Sequence, residues 1–344
     1  MNLTVKRLQM VILYSAAHFL VDFACAFLMF RYIAETPDWY FCILLYNFFA
    51  FAMQMPLGIL VDKLNRNHLF AAFGCILVGV AYGLCRSPYA AVAVVGAGNA
   101  LFHLGGGVDV LNISGEKSGA LGLFVSPGAF GVYFGTMLGK NAISAGIPIP
   151  AALFVAAALI IFARRMRVGV FPGNAEFSLD ASTQPIIAAV CLFLVVCLRS
   201  YTGLAIQFPW KGIGYWGIAL VSAVVLGKAA GGFLADKFGK YKISCLSLGF
   251  AAFLFLIPQI PVAGVFSMLL FNMTMPITLW AMARIFPGAK GFSFGLLTFG
   301  LFLGFLPVYL GASVPPGVSW LFAPSAALSL ALLLFGLRKT RSLL

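Results

Sequence analysis

Gly58-Ile59-Leu60-Val61-Asp62-Lys63-Leu64-Asn65-Arg66 returns 174 positions later as Gly232-Phe233-Leu234-Ala235-Asp236-Lys237-Phe238-Gly239-Lys240. Both stretches read G-x-L-x-D-K-x-x-[RK], both close an apolar run, and the offset is close to half of the 344 residues. Such agreement at the same end of two equivalent apolar segments indicates a duplicated chain, a plan common among polytopic membrane proteins.

The surroundings of the two copies fit that plan. Hydrophobic residues make up 62% of the chain and charged residues 9%, against roughly 25% charged in soluble domains. A membrane-crossing helix takes about 20 apolar residues. Twelve of them use roughly 240 residues and leave about 100 for eleven loops and two tails, which excludes a soluble catalytic domain. Hydropathy and helix breakers predict helices over 8–30, 39–61, 68–86, 89–111, 118–139, 147–164, 184–206, 213–235, 242–257, 261–283, 290–311 and 317–337. Pro37, Pro88, Pro148, Pro209, Pro258, Pro261 and Pro315 mark alternate connections, and the cations mark the others. Lys6, Arg7, Lys63, Arg66, Lys117, Arg164, Arg165, Arg167, Lys237, Lys240, Lys242, Arg284, Lys290, Arg338, Lys339 and Arg341 fall on one side, sixteen of the 22 Lys and Arg residues. By the positive-inside rule that side is the cytoplasm, and both termini lie there.

The expected fold is therefore an all-α integral membrane protein of twelve transmembrane helices in two pseudo-symmetric six-helix bundles. The first bundle spans 1–164 and the second 184–344, joined by a cytoplasmic linker at 165–183, the longest polar stretch. The first apolar run follows Lys6 and Arg7 as a secretory leader would. It lacks a small-residue cleavage site and reads as a retained helix. The net charge of +13 follows from topology and does not point to nucleic acid. The seven cysteines, Cys25, Cys75, Cys191 and Cys197 among them, lie mostly in apolar runs without framework spacing. They read as small buried hydrophobes, with neither disulfides nor a metal expected.

The repeated motif resembles the signature loop of the major facilitator superfamily, which lies between helices two and three and recurs between eight and nine. The resemblance extends over the whole chain in helix count, topology and repeat position. The second copy keeps the glycine expected at 239, and the first carries Asn65 there, a residue that tolerates left-handed backbone. A narrower similarity concerns Gly96-Ala97-Gly98-Asn99-Ala100-Leu101-Phe102-His103, whose Phe-His pair resembles the fosmidomycin-resistance branch of drug exporters, with Leu104 in place of that branch's proline. Gly122-Leu123-Phe124-Val125-Ser126-Pro127-Gly128 resembles the antiporter motif of exporters, with Ser126 in place of its central glycine. These similarities imply a secondary transporter, with export the favoured direction, and a monomer.

The motif also has a direct physical reading. Gly58 and Gly232 permit close helix contact. Asp62 and Asp236 stand where a carboxylate accepts hydrogen bonds from a neighbouring helix N-terminus. Lys63, Arg66, Lys237 and Lys240 are placed to pair with acids on adjacent helices, and Asp109 is the expected partner of Arg66. Together these residues read as a gating latch, the plainer alternative being a topogenic basic loop.

An ionised side chain at a helix centre costs roughly 2.5–3.5 kcal/mol on insertion scales, so such residues face a cavity or a partner. Tyr14, His18 and Asp22 share one face of the first helix. Asp22 is expected to carry a proton with His18 as its neighbour, since histidine titrates near neutrality. Asn99 and His103 form a polar face on the fourth helix. Arg199 in the seventh is a candidate partner of Asp22 or an anchor for an anionic group, and Lys228 in the eighth is a further candidate. Asn47, Gln54, Asn272 and Thr274 read as helix-to-helix glue. One acid against two cations and two histidines favours an anionic or zwitterionic solute. The expectation is a proton-coupled secondary transporter of a small solute, anionic or an amphipathic drug, in the plasma or inner membrane, needing no cofactor. The alternatives are a membrane-embedded enzyme, for which three histidines on three segments and few acids make a weak candidate, and a non-transporting receptor or scaffold, which has little need of two latches.

Overall fold

The computed structural model describes residues 3–141, 147–166, 171–180, 182–312, 314–315 and 318–342. Arg167 and the expected start of the last helix at 317 lie outside the described residues. Every regular element among the described residues is helical. Among the described residues, eleven helices are long and apolar enough to cross a membrane: α1 (Thr4–Ile33), α2 (Trp39–Leu64), α3 (Asn67–Leu84), α4 (Pro88–Ser114), α5 (Gly119–Lys140), α6 (Pro148–Arg165), α7 (Thr183–Ala205), α8 (Trp216–Phe238), α10 (Pro261–Ile285), α11 (Lys290–Tyr309) and α12 (Phe322–Thr340). The twelfth, α9 (Lys240–Leu254), has 15 residues and is about 22 Å long at the α-helical rise. That makes it shorter than a hydrocarbon core of about 30 Å.

Local chemistry sets the ends. Pro88, Pro148 and Pro261 open α4, α6 and α10, where a missing N–H costs nothing and the fixed φ suits the first turn. Asn65 ends α2 in the left-handed region at φ 50° and ψ 42°, and Gly239 follows α8 at φ 95° and ψ 138°. The last helix begins later than hydropathy suggests. Ser319–Leu321 form a separate 3-10 turn, and the helix proper opens just before Pro324, which fits only a first turn.

Several helices depart from regular α geometry. α1 ends and α2 is interrupted in wide turns at Met29–Ile33 and Phe48–Ala52. α5 breaks at Ser126 ahead of Pro127, and α10 breaks at Met273 and Thr274 ahead of Pro276, since each proline removes an intrahelical donor. The surface displays many large apolar side chains, such as Phe73, Phe154, Phe162, Phe250 and Phe253, as lipid-facing helices require. All seven cysteines are free thiols.

By packing, the chain divides into two compact units. One comprises Met1–Gly115, Pro127–Phe177 and Gly288–Gly295. Within it α1 lies against the later part of α5, and α3 lies against α4 and α6. The other comprises Glu116–Ser126, Ser178–Pro287 and Leu296–Leu344. Within it α7 and α9 lie against α12, and α8 lies against α10 and the first part of α5.

Candidate functional site

In the first unit, α1 and α4 bring three chemically active side chains together. His18 Nε2 is 3.1 Å from Asp22 Oδ2, His103 Nε2 is 3.6 Å from Asp22 Oδ1, and the two imidazole Nε2 atoms are 2.9 Å apart. On α1 the i, i+4 spacing puts His18 directly over Asp22. On α4 the same spacing lets His103 Nδ1 reach the Asn99 carbonyl at 2.9 Å. A carbonyl only accepts, so Nδ1 carries the hydrogen, and a neutral ring then presents the Nε2 lone pair toward Asp22 and His18. The Asn99 amide donates to Asp22 Oδ1 at 3.2 Å and to Cys25 Sγ at 3.6 Å. His18 and Asn99 are buried, and the Asp22 and His103 side chains are 15% and 11% exposed. The wall behind the cluster is Gly128 of α5. A Cβ there would come 2.3 Å from Asp22 Oδ2 and 2.4 Å from His18 Nε2, so α5 approaches this closely because the residue has no side chain.

Tyr14 shares the α1 face with His18 and Asp22 but serves another acid. Its hydroxyl donates to Asp109 Oδ2 at 2.6 Å, and Asn67 Nδ2 donates to Asp109 Oδ1 at 2.8 Å. This corrects the expected pairing of Asp109 with Arg66. Asp109 is buried with both oxygens occupied, whereas Arg66 is exposed, where a guanidinium keeps its hydration. The network continues into the chain that follows α6. Asn174 exchanges hydrogen bonds with Asn67, takes one from Asn112 and donates to the Val61 carbonyl, and its N–H donates to Asn65 Oδ1. Lys290 Nζ donates to Asn112 Oδ1 at 2.8 Å.

The two motif acids each cap a helix. Asp62, 4% exposed, accepts from the backbone N–H groups of Gly291 and Phe292 at 2.7 and 2.9 Å, at the start of α11. Asp236 accepts from the N–H groups of Ser118 and Gly119, both at 2.8 Å, and from the Ser118 hydroxyl at 2.8 Å, at the start of α5. A carboxylate there meets unsatisfied donors and the positive end of the helix dipole. The motif glycines allow the approach: a Cβ on Gly58 would stand 2.2 Å from the Gly291 carbonyl oxygen, and one on Gly232 would stand 2.5 Å from that of Ser118. Lys63 and Lys237 are exposed and lie over the rings of Phe177 and Phe238. Lys240 Nζ is 3.7 Å from Asp236 and 4.0 Å from the Trp280 ring centroid. Arg284 pairs with Glu116 at 2.6 Å.

In the second unit, Arg199 is 8% exposed. Its Nη2 donates to the hydroxyls of Thr274 and Thr278 at 2.9 and 3.3 Å, both beside the break in α10. Among the described residues no carboxylate stands within ion-pair distance of it, and its Nε has no hydrogen-bond partner. Lys228 is half-buried, and its carbonyl packs against Gly122. Asn47, Gln54 and Asn272 donate to carbonyls one turn back in their own helices.

Sequence reasoning placed His18 with Asp22 and Asn99 with His103 as separate pairs. That the pairs meet has no local signal, because it depends on how α1 crosses α4. The roles of Asn67, Asn112 and Asn174 were missed for the same reason, and Glu116 and Ser118 gave no cue beyond lying at a helix entrance.

No family model and no curated protein matches the sequence. Solved structures do match the fold. The Escherichia coli fucose:proton symporter, a major facilitator superfamily transporter, aligns with a TM-score of 0.71 at 13% identity over 96% of this chain and 99% of that one. The human organic anion transporter MFSD10 aligns at 0.65 and 14% identity over 96% and 99%. A bacterial homologue of the iron transporter ferroportin aligns at 0.61 and 14% identity over 99% of both chains. The chain has the major facilitator superfamily transporter fold and is a multi-pass membrane protein. The fosmidomycin-resistance branch is not among these likenesses, and their cargoes, a sugar, organic anions and iron, differ too much to transfer.

Proposed function

We propose that this chain is a secondary active transporter that moves a small solute by alternating access, with protons as the coupling ion and His18, Asp22 and His103 as the groups that hold them. The observation that carries this reading is the cluster itself: a carboxylate and two imidazoles, largely buried on membrane-crossing helices. A buried carboxylate is tolerated there only if it is paired or protonated. Here it is paired with two imidazoles, so a proton taken up by the cluster can be shared among the three groups, which is the requirement for coupling. The Nε2–Nε2 and Nε2–carboxylate contacts give the proton three adjacent resting places.

Arg199 supports a solute bearing an anionic group. A guanidinium taken out of water without an acid partner keeps unspent charge-assisted bonding capacity, and the two threonine hydroxyls neutralise none of it. An amphipathic drug with an acidic group also satisfies this chemistry. The resemblance of Gly122–Gly128 to the antiporter motif favours export over uptake. The clustering of cations in alternate loops supports cytoplasmic termini in a plasma or inner membrane. Asp62 and Asp236, as caps on the entrances of α11 and α5, are the groups expected to form and break during the cycle.

The test is solute-driven proton movement in proteoliposomes. Asp22→Asn keeps the shape and the hydrogen-bonding capacity while removing the exchangeable proton. Proton movement should fall to background while solute binding persists. Unchanged coupling would overturn the assignment, and an absence of solute flux in the wild type would favour an enzyme or a scaffold.

A further inference from the structure

The atoms that converge between α1 and α4 are one carboxylate oxygen pair and two imidazole nitrogens, and we propose that they form a binding site for one divalent first-row transition-metal ion. This inference rests on reading the cluster as the transporter's ion site, and adds a second class of cation to it.

The spacing suits one ion. Metal–nitrogen and metal–carboxylate bonds of about 2.0–2.2 Å, at angles between octahedral and tetrahedral, put donors on a shared ion about 2.9–3.5 Å apart. The two imidazole Nε2 atoms lie 2.9 Å apart, His18 Nε2 is 3.1 Å from Asp22 Oδ2, and His103 Nε2 is 3.6 Å from the other carboxylate oxygen, Oδ1. One ligand atom from each of His18, Asp22 and His103 falls within 4.8 Å of the others.

The supporting contacts are those of a ligand set. His103 gives its Nδ1–H to the Asn99 backbone carbonyl at 2.9 Å, which fixes the tautomer and turns the Nε2 lone pair toward Asp22 and His18, as outer hydrogen bonds to ligating histidines usually do. Asn99 also orients Asp22 through its amide. The Asn99 side-chain oxygen Oδ1, distinct from the backbone carbonyl that His103 engages, is buried and has no hydrogen-bond partner among the described residues, so a further oxygen donor stands on the residue that orients Asp22. Gly128 keeps the space beside Asp22 and His18 clear of a side chain, since a Cβ would enter both contacts.

The donor types choose the metal class. Two imidazoles and one carboxylate suit zinc, iron(II), cobalt, nickel and copper, and magnesium and calcium prefer all-oxygen sets. Three protein ligands leave at least one coordination position open. Proton and metal are exclusive occupants, because the ligand nitrogens and the carboxylate must be unprotonated to coordinate.

The experiment uses the full-length protein purified in micelles and titrated calorimetrically with Zn2+ alone and Mg2+ alone. One saturable equivalent of Zn2+ and no saturable Mg2+ binding is expected. His18→Ala and His103→Ala should each weaken Zn2+ binding by about tenfold or more, and His68→Ala, which alters the third histidine of the chain, should leave it unchanged. Electron paramagnetic resonance of the wild type loaded with Cu2+ should show hyperfine coupling to two imidazole nitrogens, a readout that does not depend on the variants staying folded. A wild type without saturable Zn2+ binding, a His18→Ala, His103→Ala double variant that binds as the wild type does, or a Cu2+ spectrum without two coupled nitrogens would each overturn the site. None of these results touches the Asp22→Asn coupling assay, so the two readings fail separately.

Discussion

At the end of α2, Asp62 is 4% exposed and both of its hydrogen bonds come from backbone N–H groups, those of Gly291 and Phe292. At the end of α8, Asp236 has two backbone N–H donors, the Ser118 hydroxyl and, 3.7 Å away, the ammonium of Lys240. The receiving helix ends correspond as well as the acids do: Gly291 and Phe292 follow Ser118 and Gly119 by 173 positions, and Asp236 follows Asp62 by 174. The contact is thus held in both copies by two backbone donors with a lysine nearby, Lys290 in the first and Lys240 in the second, and the second adds the Ser118 hydroxyl. Redundancy, rather than geometry, separates them.

Asp62→Ala should give the largest effect. It removes two charge-assisted hydrogen bonds from donors that water reaches poorly. Hydrogen bonds to charged groups contribute about 1.5–3 kcal/mol each, and part of that is recovered by solvation of the freed groups. A loss of about 3 kcal/mol in equilibrium unfolding in mixed micelles is expected, with solute flux falling in parallel. A loss below about 1 kcal/mol would break the comparison, since it would mean that the start of α11 has a second support.

The turns that follow the two acids differ in a way that predicts the next effect. Asn65, at φ 50° and ψ 42°, sits in the left-handed well near +57° and +47° that asparagine tolerates. Gly239, at φ 95° and ψ 138°, lies outside that well, where a Cβ meets the backbone. Gly239→Asn, which copies the first repeat into the second, should therefore cost about 2 kcal/mol. A neutral outcome in the same unfolding assay would show that the turn relaxes into the left-handed well.

The sequence made the helices legible because each carries its own signal: an apolar run, a proline at the start, a cation or glycine at the end. Twelve predicted segments correspond to twelve helices among the described residues, with the last displaced because Val318, Trp320 and Leu321 are apolar yet precede Pro324. The repeat was legible because Asp62 and Asp236 sit at equivalent points of one pattern. Partners across helices were not. Asp109 was matched with Arg66 on charge alone, whereas burial selects the neutral donors Tyr14 and Asn67. His103 was read apart from His18 because 85 residues separate them, and no periodicity within one helix records which face another helix meets. The membrane explains the asymmetry: lipid enforces helix formation everywhere, and specific packing alone decides which polar groups converge.

Asp236→Ala should give the smallest effect of the three, and its size decides whether redundancy is the correct lesson. The Ser118 hydroxyl remains at the N-cap of the first part of α5, where a serine accepts a hydrogen bond from the first-turn N–H groups by itself. Lys240 loses its acid but keeps the Trp280 ring at 4.0 Å and the Glu116 carbonyl at 3.2 Å. A loss of about 1 kcal/mol is therefore expected. Adding Ser118→Ala should raise the loss to about that of Asp62→Ala, because two partners that substitute for each other show a coupling larger than the sum of single effects. If the double variant instead equals the sum of the two single losses, Ser118 is not a reserve cap, and the two copies differ only in burial.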